Sequence, residues 1–154
     1  MKIEDELKSK FVDDYHKLVV NLHLTYSRVT ESFQSSLKEF NLTGTQYNIL
    51  RILRGQKQVP ASIGLIKERM IERNSDVSRI IDRLLKKGII ERQPNKEDRR
   101  QKDIIINDKG LELLEKIDAD SSFSTSPFSH VSLEEVQLMN DLLDKIRTKP
   151  ENKD

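Results

Sequence analysis

The stretch "VSRIIDRLLKKGIIERQPNKEDRRQKDIIINDKGLELL", Val77 to Leu114, runs through three local patterns in succession. Val77, Ile80, Ile81, Leu84 and Leu85 recur at helical spacing, and Gly88 supplies a stop, with Lys86 and Lys87 placed to favour the negative end of the helix dipole. Ile89-Ile90 and Ile104-Ile105-Ile106 are β-forming runs, which predict a hairpin. The charged stretch between them, "NKEDRRQKD", makes a tip that cannot be buried. Asn107 and Asp108 then open a further helix through Leu111, Leu114 and Ile117.

Upstream, "NSD" predicts that the first of these helices starts at an Asn74 cap, with Ser75, Asp76, Ser78, Arg79, Asp82 and Arg83 on or beside its outward face. Before it, Thr43 and Gln46 form a T-x-x-Q capping box for a helix through Tyr47, Leu50 and Leu53 to Gly55. The loop Gln56 to Pro60 follows, and then a short helix over Ile63 to Met70. Helix, helix and hairpin in this order predict a winged helix-turn-helix, whose second helix can enter a major groove. The fold class expected is mainly α with a small β-hairpin wing.

The two ends supply amphipathic helices. Leu7, Phe11, Tyr15, Leu18, Leu22, Tyr26, Val29, Phe33, Leu37 and Phe40 step by four and three without Gly or Pro, which predicts one N-terminal helix. At 1.5 Å per residue such a helix is ~50 Å long, too long for a domain of this size to cover alone. Ser132 and Glu135 form an S-x-x-E box opening a helix with Val136, Met139, Leu143 and Ile146 on one face, after the low-complexity stretch "DSSFSTSPFSH". The expected organisation is a dimerisation helix over residues 1–41, the winged helix-turn-helix over 42–118, and a loop with a second dimerisation helix over 119–154.

Composition narrows the classes. The 154 residues are 35% hydrophobic and 34% charged, a water-soluble balance with little core material to spare. No apolar run approaches the ~20 residues of a membrane span, and "MKIEDELKSK" is no signal peptide, so a cytoplasmic protein without membrane association is expected. With no cysteine, thiol switches and Cys-ligated zinc are excluded. The net charge of +1 conceals asymmetry: residues 67–102 carry twelve basic and seven acidic side chains, and residues 103–154 carry six and twelve. A basic middle section points to a polyanionic partner.

At the hairpin tip, an arginine can enter a flanking minor groove, where its fork donates several hydrogen bonds and its charge meets an enhanced negative potential. Asp98 is suited to hold Arg100 extended, with Arg99 and Lys102 on phosphates. Asp76 can accept from a cytosine amino group or cap its helix. Catalysis has no support: no serine has a base and an orienting acid, and no Gly-rich phosphate loop exists. His16 and His23 lie seven apart and His130 far along the chain, too few ligands for a metal. No enzymatic activity, cofactor or metal is expected.

The stretch Val77 to Leu114 resembles the MarR family of bacterial transcription regulators in its V-S-R-x-x-D-R-L helix, its "KKG" stop, its D-R-R wing with a following apolar strand, and its "DKG" helix start. The resemblance implies a homodimer on double-stranded DNA at a pseudo-palindromic operator, usually a repressor released by a small ligand. It implies Ser75, Asp76, Ser78 and Arg79 as recognition-helix positions, with Arg83 beside them, and Arg100 supported by Asp98 in the wing. It also implies an aromatic or phenolic effector between the arm, the Thr43 helix and the helix after the wing, with Tyr15, His16, His23, Tyr26 and Tyr47 as lining candidates. One departure stands out: Ile71, Glu72 and Arg73 occupy places where the family commonly has a Gly-containing turn with Ser or Thr. The competing reading is a winged-helix module that binds protein, or nucleic acid without sequence choice.

Overall fold

The computed structural model describes residues 2–95, 102–120 and 128–148. The order is α1 (Ile3–Leu7), α2 (Asp14–Glu39), α3 (Gly44–Gly55), α4 (Ile63–Arg69), α5 (Val77–Lys86), β1 (Ile90–Pro94), β2 (Lys102–Ile106), α6 (Asp108–Ala119) and α7 (Leu133–Arg147). It is the mainly helical winged architecture expected, with β1 and β2 antiparallel and Ile90 opposite Ile106. A bridge between Ala61 and Ile104 adds the segment before α4 to the free edge of β2.

The capping boxes form as their sequences predict. Thr43 Oγ1 accepts from the Gln46 N–H at 3.2 Å while the Gln46 side chain accepts from the Thr43 N–H. Ser132 and Glu135 make the same reciprocal pair at the start of α7. Asn107 caps α6 by accepting from the Gly110 N–H, and Gly88 follows the end of α5 at φ 67°, where glycine escapes the penalty of a Cβ.

The core joins the hairpin to the helices. Ile49, Leu50 and Leu53 of α3, Ile66 of α4, Val77, Ile81 and Leu84 of α5, Ile104 and Ile106 of β2, and Leu114 and Ile117 of α6 form one buried cluster. Along β2, Ile104 and Ile106 point into it because alternate residues of a strand share a face. Gly110 is needed where α6 starts beneath the hairpin: a Cβ there would lie 2.3 Å from the Ile89 carbonyl oxygen and 2.6 Å from Ile106 Cγ1.

The single N-terminal helix does not form. α1 stops at Leu7, where Lys8 adopts φ 49°, and α2 begins only at Asp14. Local capping outweighs the continuing apolar periodicity: Asp13 is extended, and its Oδ1 accepts from the His16 N–H at 2.7 Å, while His16 Nδ1 accepts from the Val12 N–H at 3.3 Å. α1 is held to α2 by Ile3, which is buried, and by the pairs Glu4–Lys17 and Glu6–Arg28. The 26-residue α2 spans about 39 Å, yet Leu37 is its one buried residue among those described. Tyr15, Leu18, Leu22 and Tyr26 of the apolar stripe are exposed, and so are Leu133, Leu138, Met139, Leu142 and Ile146 of α7.

Two outcomes test this packing. Gly110→Ala should destabilise the fold by about 1–3 kcal/mol in urea denaturation, because the clash is with backbone carbonyl and cannot be relieved by a rotamer. The hydrogen bond from the Lys17 ammonium holds the Glu4 carboxyl below its usual range. A carboxyl depressed in the folded state stabilises above its unfolded pKa, and that contribution is lost as pH falls through the folded value. Acidification past the ordinary carboxylate range should therefore release α1 first, read as movement of the Ile3 methyl resonances before the core unfolds.

Candidate nucleic-acid interface

The surface that α5 presents is set by its apolar stripe. Val77, Ile81 and Leu84 are buried, with Ile80 and Leu85 packed at their margin, so Ser78, Arg79, Asp82 and Arg83 are turned outward. The helix begins later than its sequence suggests. Asn74 is not the cap: Asp76 is, accepting from the Arg79 N–H at 3.2 Å, because Asn74 and Ser75 are used in the preceding turn. The same carboxylate lies 3.7 Å from Arg79 Nε, which restrains the arginine without tying it down. Capping thus accounts for Asp76 without any base contact.

The turn between α4 and α5 explains the absence of glycine at Ile71, Glu72 and Arg73. No residue from Met70 to Asp76 has positive φ, so the chain turns within conformations open to any side chain. Asn48 Oδ1 of α3 accepts from the Ile71 N–H at 3.0 Å, and the Ser75 N–H donates to the Glu72 carbonyl. The role of Asn48 was not visible in the sequence, since its partner lies 23 residues away.

The hairpin is fastened to α5 by Arg92 of β1, whose Nη2 donates to Asp82 Oδ1 at 2.6 Å. Asp82 is therefore a link to the wing. Lys102 is exposed at the tip end of β2, opposite Pro94. Asp98, Arg99 and Arg100 lie outside the described residues. Ser75 and Asp76 lie at the entry to α5, Ser78 and Arg79 in its first turn and Arg83 in its last turn on the outward side, with Arg83 in no ion pair among the described residues.

A cavity of about 590 Å³ opens between α2, α3 and α6, with Phe33, Tyr47, Phe128 and Ile117 among its apolar walls and Arg51 and Arg54 among its polar ones. The two arginines grip Asp118 at 3.0 and 2.6 Å, and the Arg51 guanidinium stands 5.8 Å from the centre of the Tyr47 ring. Of the residues singled out as lining candidates, Tyr47 is here. Tyr26 borders a smaller neighbouring hollow of about 140 Å³. Tyr15, His16 and His23 sit on the exposed first half of α2, outside both spaces. Arg51, Arg54 and Asp118 were missed; the i,i+3 arginine pair was the available signal, but its acidic partner is more than 60 residues distant.

Residues 42–102 match the MarR family, the segment that holds α3 to the start of β2. It is a MarR family domain. The HTH-type transcriptional regulator PapX of Escherichia coli is 26% identical to the chain over 124 residues, covering 77% of this chain and 76% of PapX. A mutant MarR of Escherichia coli complexed with operator DNA superimposes with a TM-score of 0.75 at 20% identity, covering 91% of this chain and 100% of that one. An organohalide-sensing transcriptional regulator in its 2,4-dichlorophenol-bound form gives a TM-score of 0.77 at 19% identity, covering 88% and 80% of the two chains. At these identities the structural likeness concerns the fold. No described helix is long and apolar enough to cross a membrane.

The capping role of Asp76 is checked by two substitutions in this MarR domain. Asp76→Ala should cost about 1 kcal/mol in chemical denaturation, whereas Asp76→Asn, which keeps an acceptor for the Arg79 N–H, should stay within a few tenths. Equal stability of wild type and Asp76→Ala would remove the cap as the reason for this residue.

Proposed function

We propose that the chain is a sequence-specific, double-stranded DNA-binding transcription regulator that acts as a homodimer on a pseudo-palindromic operator. The observation that carries this reading is the outward face of α5, where Ser78, Arg79 and Arg83 are exposed on a helix braced by the core behind and by the Asp82–Arg92 pair beside the wing. An outward polar face of this kind suits base edges and phosphates in a major groove, with Arg79 able to fork onto guanine O6 and N7. Lys102, and the wing-tip residues Asp98, Arg99 and Arg100 assigned from sequence, extend the footprint toward the minor groove and flanking phosphates.

Dimerisation is supported by the apolar side chains that one chain leaves uncovered on α2 and α7, among them Leu18, Leu22, Leu138 and Leu142. Covering them with a second copy sets two α5 helices against successive major-groove faces. We further propose repression relieved by a small aromatic or phenolic effector in the cleft between α2, α3 and α6. Tyr47 and Phe33 stand edge to face there, 5.4 Å apart, and offer a planar ring its contacts, while Arg51 and Arg54 offer charge to a phenolate or carboxylate. Such an effector acts by its differential affinity for arrangements of α6 relative to α3, which Asp118 now bridges. The bound dichlorophenol of the structural relative is consistent with this chemistry.

Selection of bound sequences from a random duplex pool tests the central claim. A palindrome should be enriched, with half-site centres ~34–36 Å apart. Arg79→Ala should lower operator affinity by about 10- to 100-fold and relax one base position, the cost of a lost bidentate contact of roughly 1–3 kcal/mol. Affinity should also fall steeply with salt, at a log–log slope of about −0.9 per neutralised phosphate. No sequence preference together with a shallow slope would favour an interaction module instead.

A further inference from the structure

The base of the wing holds a separate cavity of about 380 Å³, with Val59, Pro60 and Leu65 on one side and Gln93, Asn95 and Asp103 on the other. Asp103 is out of keeping with its position. β2 turns Ile104 and Ile106 into the core and Asp103 to the opposite face, across from Gln93, yet Asp103 is only 9% exposed because the segment around Ala61 runs along the other edge of β2. Asn95 Nδ2 donates to Asp103 Oδ2 at 2.9 Å. Oδ1 is shut off from solvent and has no hydrogen-bond partner among the described residues. A carboxylate oxygen removed from water without a donor is unfavourable, and the adjoining cavity is where a donor can be admitted.

The walls select the kind of donor. A hard divalent cation takes six or more oxygens, usually several of them charged. The described residues contain no group of three or more His, Cys, Asp or Glu side chains placed to hold a metal. One carboxylate beside Val59, Pro60 and Leu65 matches instead a positive nitrogen on a short hydrocarbon body. An ammonium has three N–H donors, and the Ser62 hydroxyl oxygen, which accepts from the Leu65 N–H at 3.1 Å, has a second lone pair at the cavity wall.

We propose that this cavity binds a small primary alkylammonium compound, whose nitrogen pairs with Asp103 and whose hydrocarbon body lies against Val59, Pro60 and Leu65. The half-buried Gln93 and Asn95 form the rim, and a rotamer change there opens Oδ1 to the nitrogen. Because the cavity spans the start of α4 and both wing strands, occupancy braces the wing against α4. The site is distinct from the effector cleft and stands whether or not the regulator reading does.

The test is a ¹⁵N NMR titration of the full chain without DNA, using n-butylammonium and its neutral counterpart n-butanol as probes. The amine should shift amides at Val59–Leu65, Gln93–Asn95 and Asp103, and the alcohol should bind at least about tenfold more weakly, as loss of a charged hydrogen bond implies. Asp103→Asn should weaken the amine by a similar factor and leave the alcohol unchanged. Since that variant can disturb the hairpin, Val59→Lys, at an exposed position, serves as a second: its own ammonium should occupy the mouth and block the amine while hairpin resonances stay in place. Equal binding of the two probes, shifts elsewhere on the surface, or undiminished amine binding by both variants would overturn the proposal.

Discussion

Two hydrogen bonds, Ala61 N–H to the Ile104 carbonyl and Ile104 N–H to the Ala61 carbonyl, each 2.8 Å, fix the relation between the helices α3 to α5 and the hairpin. A two-stranded hairpin is marginal alone, and this bridge ties the outer edge of β2 to the segment before α4 while leaving Ile104 fully buried. Ile104 and Ile106 then share a core with Ile49, Leu53, Ile81 and Leu84. The wing and the helix-turn-helix become one body through that shared core, and the outward direction of Arg79 follows from the inward direction of Ile81 and Leu84.

Charged contacts tune this body and do not create it. The Arg92–Asp82 and Arg51/Arg54–Asp118 pairs are partly exposed, and pairs of that kind contribute roughly 0–1 kcal/mol each. Their value is geometric. One ties the wing to α5, and the other ties α3 to α6 beside the cavity proposed for an effector. Weak links of this sort can be exchanged for contacts with a bound molecule at little cost, which suits a regulated assembly better than a buried pair whose breakage would be severe.

The extremities show the opposite balance. α7 buries no residue in the single chain, and the first half of α2 exposes its apolar stripe. A helix of this length draws little stability from propensity alone, so its packing partner decides its persistence. The homodimer proposed above provides that partner, and it places the symmetry axis among the ends of the chain, away from the α5 surface.

Much of the fold was legible because its signals are local. The capping boxes at Thr43 and Ser132, the glycine stop at Gly88 and the isoleucine run of β2 each involve residues within four positions of one another. The outward residues of α5 were legible for the same reason. Where two local signals competed, the stronger was misjudged: the cap at Asp13 broke a periodicity that ran on unbroken from Leu7, and Asp76 capped α5 in place of Asn74. By itself the sequence determined the helices from α3 onward and both strands to within a few residues, which face of each is apolar, and that a basic section lies mid-chain. Only the tertiary structure decided that Asp82 belongs to Arg92, that Asn48 closes the turn at Ile71, and that Asp103 is buried against Asn95 with one oxygen unmatched, because those contacts join positions 8 to 23 residues apart that meet only once the core has formed.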